Sequence, residues 1–501
     1  MKRTNLSLLA QRRAGVLLHI SSLPSANYVG DLGTEAYRFV DFLNTIGASV
    51  WQTLPINMPH ADNSPYQCLS AFAGNPDFIS LENLLSQGLL SKEDLSGLMT
   101  NKTHLLEKAY LAFKGQAENT ELSYVYTQQA FRKFCKKQSL WLNDFALFLA
   151  LRHKFHQVGW SYWPEAYKNR DVKTLKQARK ELAHEIVVIQ FTQFIFFTQW
   201  LALKAYAVSK KVYFFGDIPI FVAYDSADVW AQSHLFKLDA NKNMEVVAGV
   251  PPDYFSATGQ RWGNPHYNWD VMAADGFSWW ISRMATQNAL FDIVRIDHFR
   301  GLEAAWEIPA SEDTAINGQW VLAPGDALLA AILKTLPNIC LVAEDLGIIT
   351  AEVDALRHQY NLPGMKILQF AFSGQEDNPY LPHNIEANSV AYTGTHDNDT
   401  SLGWYDALDE QQRELVDAYI RLSHSEEDEP SMPTDLIDMV FESNAQLAII
   451  PMQDILALDS THRMNTPGTC TGNWHWRFNW LQLSASQTKS ITEVIVRTGR
   501  H

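Results

Sequence analysis

Short β-type runs that each end in a polar or charged cluster recur along this chain, and their order constrains the fold more than any other feature. ASVWQTLPI (48–56) leads to NSPY (63–66), and KVYFFGDIPIFV (211–222) carries Gly216-Asp217. FDIVRIDHFRG (291–301) sets Arg295, Asp297, His298 and Arg300 in and after an apolar run. NICLVAEDLG (338–347) closes on Glu344 and Asp345, and NSVAYTGTHDNDT (388–400) on His396, Asp397 and Asp399. The apolar parts are β-branched, aromatic and not alternating, as strands buried on both faces of a parallel sheet should be. Helical spacing lies between them, in TEAYRFVDFLNTIG (34–47), WWISRMATQNA (279–289) and TAEVDALRHQY (350–360). Repeated β-then-α order predicts a parallel α/β fold. Polar clusters at the C-terminal ends of many strands select a (β/α)8 TIM barrel, whose active site is built at that face. A doubly wound sheet is the rival, but no glycine-rich phosphate loop follows the first strand.

At 501 residues the chain exceeds one ordinary core, so the expectation is a single catalytic barrel over 1–501 that carries insertions. Residues from about 82 to 186 break the alternation with Leu-, Lys-, Glu- and Gln-rich helical spacing, and read as a helical insertion. The apolar stretch 186–208 reads as a long buried barrel helix; its 194–208 part, interrupted by Thr198, Gln199 and Lys204, falls short of a membrane span. A net charge of −15 repels phosphate backbones and anionic bilayers, so nucleic acid and membrane are poor partners. Cys68, Cys135, Cys340 and Cys470 stand far apart, as free thiols of a reducing, cytoplasmic compartment would.

Arg295 and Asp297, two apart on a strand, point the same way and can pair. An aspartate held ionised by a guanidinium at a strand's mouth suits a carboxylate nucleophile; a structural ion pair would leave the same trace. Asp297, Glu344 and Asp397 take equivalent positions after successive strand-like runs, and glycosidic-bond cleavage needs two opposed carboxylates. GTHDNDT also offers ligand types for a metal, but no HExxH, DxDxDG loop or second His cluster accompanies it, and no metal or cofactor is expected. No GxSxG elbow supports serine chemistry. The stretch 247–269 holds Tyr254, Phe255, Trp262, Tyr267 and Trp269 among glycines and prolines; it reads as a long active-site loop offering rings for sugar stacking, or else a surface loop pinned by aromatics.

These segments together resemble one family, the 4-α-glucanotransferases called amylomaltases or disproportionating enzymes. The resemblance runs through RAGVLLHISSLPS (13–25), SPYQCLSAFAGNP (64–76), GDIPIFVAYDSADVWA (216–231), VAGVPPDYFSATGQRWGNP (247–265), RIDHFRG, AEDLG, PGMKILQFAF (363–372), TGTHDNDT and NTPGTCTGNW (465–474). It implies a barrel with inserted subdomains, retaining chemistry, no metal, and α-1,4-glucans or maltooligosaccharides as substrates. It implies Asp297 as nucleophile, Glu344 as general acid/base and Asp397 as the stabilising third carboxylate. Arg295 would orient Asp297 and His396 would contact the sugar. Tyr66, Asp217 and Asn473 would line donor or acceptor sites, and Tyr254, Phe255 and Trp262 a mobile loop over the cleft. The chain resembles the compact form without an extra N-terminal region. It departs from the family pattern at 57–62, at His266 and at His475. A glucan hydrolase and an inactive glucan-binding protein are the rival readings.

Overall fold

A computed structural model of the chain describes residues 8–25, 29–96, 101–115, 125–252, 256–423, 430–469 and 471–501. Its centre is one parallel sheet of eight strands: β1 (Arg13–Leu17), β2 (Val50–Gln52), β3 (Tyr213–Pro219), β4 (Ile293–Asp297), β5 (Leu341–Ala343), β6 (Gly364–Ile367), β7 (Ser389–Tyr392) and β8 (Leu447–Pro451). Their spatial order is β6-β7-β8-β1-β2-β3-β4-β5. The two ends of that series meet: the Ala343 N–H donates to Pro363 O at 2.9 Å and the Met365 N–H to Asp345 Oδ1 at 2.7 Å. The sheet is a nearly closed (β/α)8 barrel with helices between its strands.

Each strand buries both faces because alternate side chains enter two separate apolar clusters. Val50, Phe215, Ile293, Val342, Val390 and Ile449 fill the barrel, while Trp51, Phe214, Val294, Ala343, Ala391 and Ile450 face outward against the helices. Two residues further along the inward row, Val50, Phe215 and Ile293 give way to buried Gln52, Asp217 and Arg295. The interior therefore turns polar at the strands' C-terminal ends. Gly216 lets this happen, since a Cβ there would lie 2.2 Å from the Phe291 ring and force β3 and β4 apart. Those are the strands whose register sets Asp217 opposite Arg295 and Pro219 opposite Asp297.

Between β2 and β3 the described residues are mainly helical, including Lys102–Gly115, Gln128–Lys137, Ser139–Lys154 and Val172–Glu181. The expected boundary near 186 falls inside one continuous helix, Ala183–Ser209. That helix belongs to both regions: Phe194 packs on Phe131 and Phe134 of the insertion, while Trp200 packs on Phe214 of β3. The whole helix, unlike its 194–208 part alone, is long and apolar enough to cross a membrane, yet 61% of its most apolar window is buried within the protein. Its polar residues serve packing: Gln193 bonds both backbone groups of Gly74, and Gln199 those of Ser80.

The stretch 247–269 is not the irregular loop that its glycines and prolines suggest. Val246–Val250 and Gln260–Pro265 pair antiparallel and join Ala304–Pro309 and Gln319–Leu322 in a second, four-stranded sheet beside the barrel mouth. The glycines serve the pairing. A Cβ at Gly249 would lie 2.1 Å from Gln260 O, next to a register shift between Val247 and Gly249, and Gly259 turns the hairpin at φ +66°.

Candidate active site

The barrel's polar layer is organised around the Arg295 guanidinium. One nitrogen pairs with Asp217 Oδ2 at 2.6 Å, another with Asp297 Oδ1 at 2.8 Å, and Nε meets Met365 Sδ at 3.3 Å. Tyr66, carried on the loop after β2, donates its hydroxyl to Asp217 Oδ2 at 2.7 Å. Removing one partner of such a buried pair leaves an uncompensated charge, at a cost of about 3–5 kcal/mol. Arg295 is thus fixed between two carboxylates, and Asp297 is aimed by it into the cleft.

Glu344 follows β5 directly and is buried beside the end of β4. It accepts the His298 N–H at 2.7 Å and the Leu346 N–H at 3.0 Å. The first contact depends on His298 adopting a left-handed backbone, φ +54°, which turns its N–H toward β5. Burial pushes the Glu344 carboxyl up to about 8; Arg295 opposes this and the Asp297 charge adds to it. Burial also raises Asp297, to about 6, with Arg295 opposing and the Asp217 and Asp397 charges adding. Of two adjacent carboxylates, Glu344 therefore holds a proton at neutral pH and Asp297 gives one up.

Asp397 lies beyond β7 in the loop 393–400. Its recessed position favours the neutral acid, but His396 and Asn465 outweigh that and hold it well below the usual carboxylate range. His396 Nε2 stands 3.3 Å from Oδ2, and Asn465 Nδ2 donates to Oδ1 at 2.7 Å. Arg463 donates to Asp397 O at 3.0 Å and pairs with Asp399 at 3.5 Å. The His396 ring stacks on Tyr66, centroids 5.2 Å apart and 15° from parallel. Asp297 and Asp397 keep solvent contact, with side chains 29% and 47% exposed.

The structure thus brings together Tyr66, Asp217, Arg295, Asp297, Glu344, His396 and Asp397. Trp262 joins them from the hairpin, edge-on to the His298 ring at 4.8 Å. Tyr254 and Phe255 lie outside the described residues. Asn473 closes its own turn: its oxygen accepts the Thr466 N–H at 3.0 Å and its nitrogen donates to Thr469 O at 3.1 Å, while the ring of the next residue, Trp474, stands 5.9 Å from Tyr66 and 6.0 Å from His396. Asn465 and Arg463, which hold Asp397, were not singled out by the sequence, where they look like ordinary turn residues. His266 is packed edge-on to Phe221, its pKa lowered by burial to about 4, and His475 is exposed. Residues 57–62 run along a hairpin bridged at Asn57–Gly74 and Pro59–Cys68.

Comparison with known proteins gives the family. A family profile described as 4-alpha-glucanotransferase matches residues 18–484. A 4-alpha-glucanotransferase of Thermus thermophilus is 47% identical, the alignment covering 98% of this chain and 99% of the relative. A chloroplastic/amyloplastic 4-alpha-glucanotransferase of Solanum tuberosum is 42% identical over 98% of this chain and 87% of its own. Among solved structures, the amylomaltase from Streptococcus agalactiae in complex with acarbose superposes with a TM-score of 0.92 at 35% identity, covering 98% of this chain and 100% of that one. The chain belongs to the 4-α-glucanotransferase family.

Proposed function

We propose that this chain carries out its family's reaction, transfer of an α-1,4-glucan segment to the 4-hydroxyl of glucose or a maltooligosaccharide, by a retaining double displacement. The Asp297 carboxylate attacks the anomeric carbon while the bond to the leaving glucan breaks, and the Glu344 proton passes to the leaving oxygen. The segment is then held as an ester on Asp297. Glu344, now ionised, takes the proton of the acceptor's 4-hydroxyl as that oxygen displaces Asp297 and regenerates the carboxylate. Asp397, kept ionised by His396 and Asn465, stabilises the positive charge that develops on the sugar in both steps. Arg295, with Asp217 and Tyr66 behind it, aims Asp297.

One observation carries the reading: two carboxylates at the ends of neighbouring strands, both raised by burial, Glu344 further than Asp297. Ile296 pairs with Ala343, so Asp297 and Glu344 are the next residues of adjacent strands. Neighbouring strands run about 4.8 Å apart, so the two side chains start close enough for the separation of about 5–5.5 Å that retention needs. Esterifying Asp297 removes the charge that raises Glu344, so the acid of the first step becomes the base of the second. The reading takes the whole chain as one catalytic unit, supported by a single apolar cluster that joins Val16, Phe145 of the insertion and Ile495. It places the enzyme in the cytoplasm, supported by the free thiols Cys68, Cys135 and Cys340.

The test is direct. Glu344→Gln, given a maltosyl fluoride whose leaving group needs no acid, should accumulate a glycosyl ester on the peptide containing Asp297, read by mass spectrometry. An ester on another carboxylate, or none while fluoride is released, overturns the assignment.

A further inference from the structure

Glucans longer than one unit reach beyond the residues around Asp297, and the connection between β4 and β5 carries an exposed tryptophan, Trp320. Arg300, three residues past Asp297, lies under the Trp320 ring with its guanidinium carbon 3.8 Å from the ring centroid. The same guanidinium donates to Ile348 O, four residues past Glu344. One buried arginine therefore ties the loops after β4 and β5 together and supports an indole from beneath. Trp320 sits on the edge strand Gln319–Leu322, edge-on to Trp306 at 5.2 Å. It remains 38% exposed, and Leu322, two residues along the same strand, is 76% and Ile348 55% exposed.

A lone exposed leucine needs no explanation. An exposed indole propped by a buried guanidinium that ties together the loops after Asp297 and Glu344 does. We infer that Trp320 and Ile348 form an outer binding platform for the leaving or acceptor glucan, stacking the apolar C–H face of a glucose ring beyond the reacting units. The side is set by chemistry, and it rests on the reading given under Proposed function. Glu344 protonates the leaving oxygen, so the chain that departs, and the acceptor that replaces it, lie toward the Glu344 loop that carries Ile348. The cation beneath the ring also suits the substrate, because a neutral glucan loses nothing beside Arg300. The platform makes the enzyme favour longer acceptors over glucose.

The test compares acceptors of different length in the full chain. Trp320→Ala, and independently Ile348→Ser, should raise the KM for maltohexaose as acceptor, about 3–10-fold for the tryptophan. The KM for glucose as acceptor and the kcat should stay within about twofold. Binding of maltohexaose and maltose, measured by calorimetry in the Asp297→Asn background, should show the same selective loss. Equal effects on short and long sugars, or no effect of either substitution on maltohexaose, overturns the platform. Wild-type enzyme that transfers to neither acceptor, with length-selective binding loss intact, would overturn the transferase reading and leave the platform standing.

Discussion

Asn465→Ala asks whether Asp397 acts through its orientation. The amide donates to Asp397 Oδ1 at 2.7 Å, leaving His396 at 3.3 Å as the other side-chain partner of that carboxylate. A hydrogen bond to a charged group contributes about 1.5–3 kcal/mol. Asp397 is 47% exposed, so water takes the vacated place and the loss belongs near or below the bottom of that range. About 1.4 kcal/mol corresponds to a tenfold fall in kcat/KM. The fold should be little affected, because Arg463 still holds the Asp397 carbonyl and pairs with Asp399. The assay is transfer from maltotriose at pH 7, paired with a thermal melt. A roughly tenfold loss carried by kcat, with Tm moved by no more than about 2 °C, is the expected result. A loss below twofold would refute the role of Asn465, and a loss that tracks unfolding would reduce it to a structural residue.

The pH profile follows from the two raised carboxylates. Asp297 must be ionised, so kcat/KM should fall as pH drops through about 6, and Glu344 must be protonated, so it should fall again as pH rises through about 8. With a glycosyl fluoride donor, formation of the Glu344→Gln ester should lose the alkaline limb and keep the acid one; a persisting alkaline limb would contradict the assignment. Trp262→Ala should weaken maltooligosaccharide binding by about 1–2 kcal/mol, measured by calorimetry in the inactive Asp297→Asn background. Unchanged affinity there would leave Trp262 as packing for His298 alone.

The three carboxylates were legible in the sequence because each follows an apolar run whose length and composition already mark a buried strand. Period-two alternation then forces Arg295 and Asp297 onto one face, and the barrel gathers strand ends without further information. The stretch 247–269 was misread for a physical reason. Glycine and proline report where a chain turns or is approached closely, whereas pairing of Val246–Val250 with Ala304–Pro309 spans a long sequence separation. The boundary near 186 falls within three residues of the start of the long helix Ala183–Ser209, because the change in composition comes with that helix. Asn465 went unnoticed because an asparagine in a turn has the same local signature whether its amide closes the turn or reaches across to another loop.

The most direct measurement is the count of reducing ends during incubation with pure maltotriose. Double displacement onto a sugar acceptor makes one glycosidic bond for each one broken, so the total stays constant while glucose and longer maltooligosaccharides appear. Hydrolysis adds one reducing end for each bond cleaved. The account predicts a nearly flat total alongside a ladder of products above and below maltotriose. A total that rises in step with maltotriose consumed would contradict it and make this chain a hydrolase, and no new products at all would leave a glucan-binding protein.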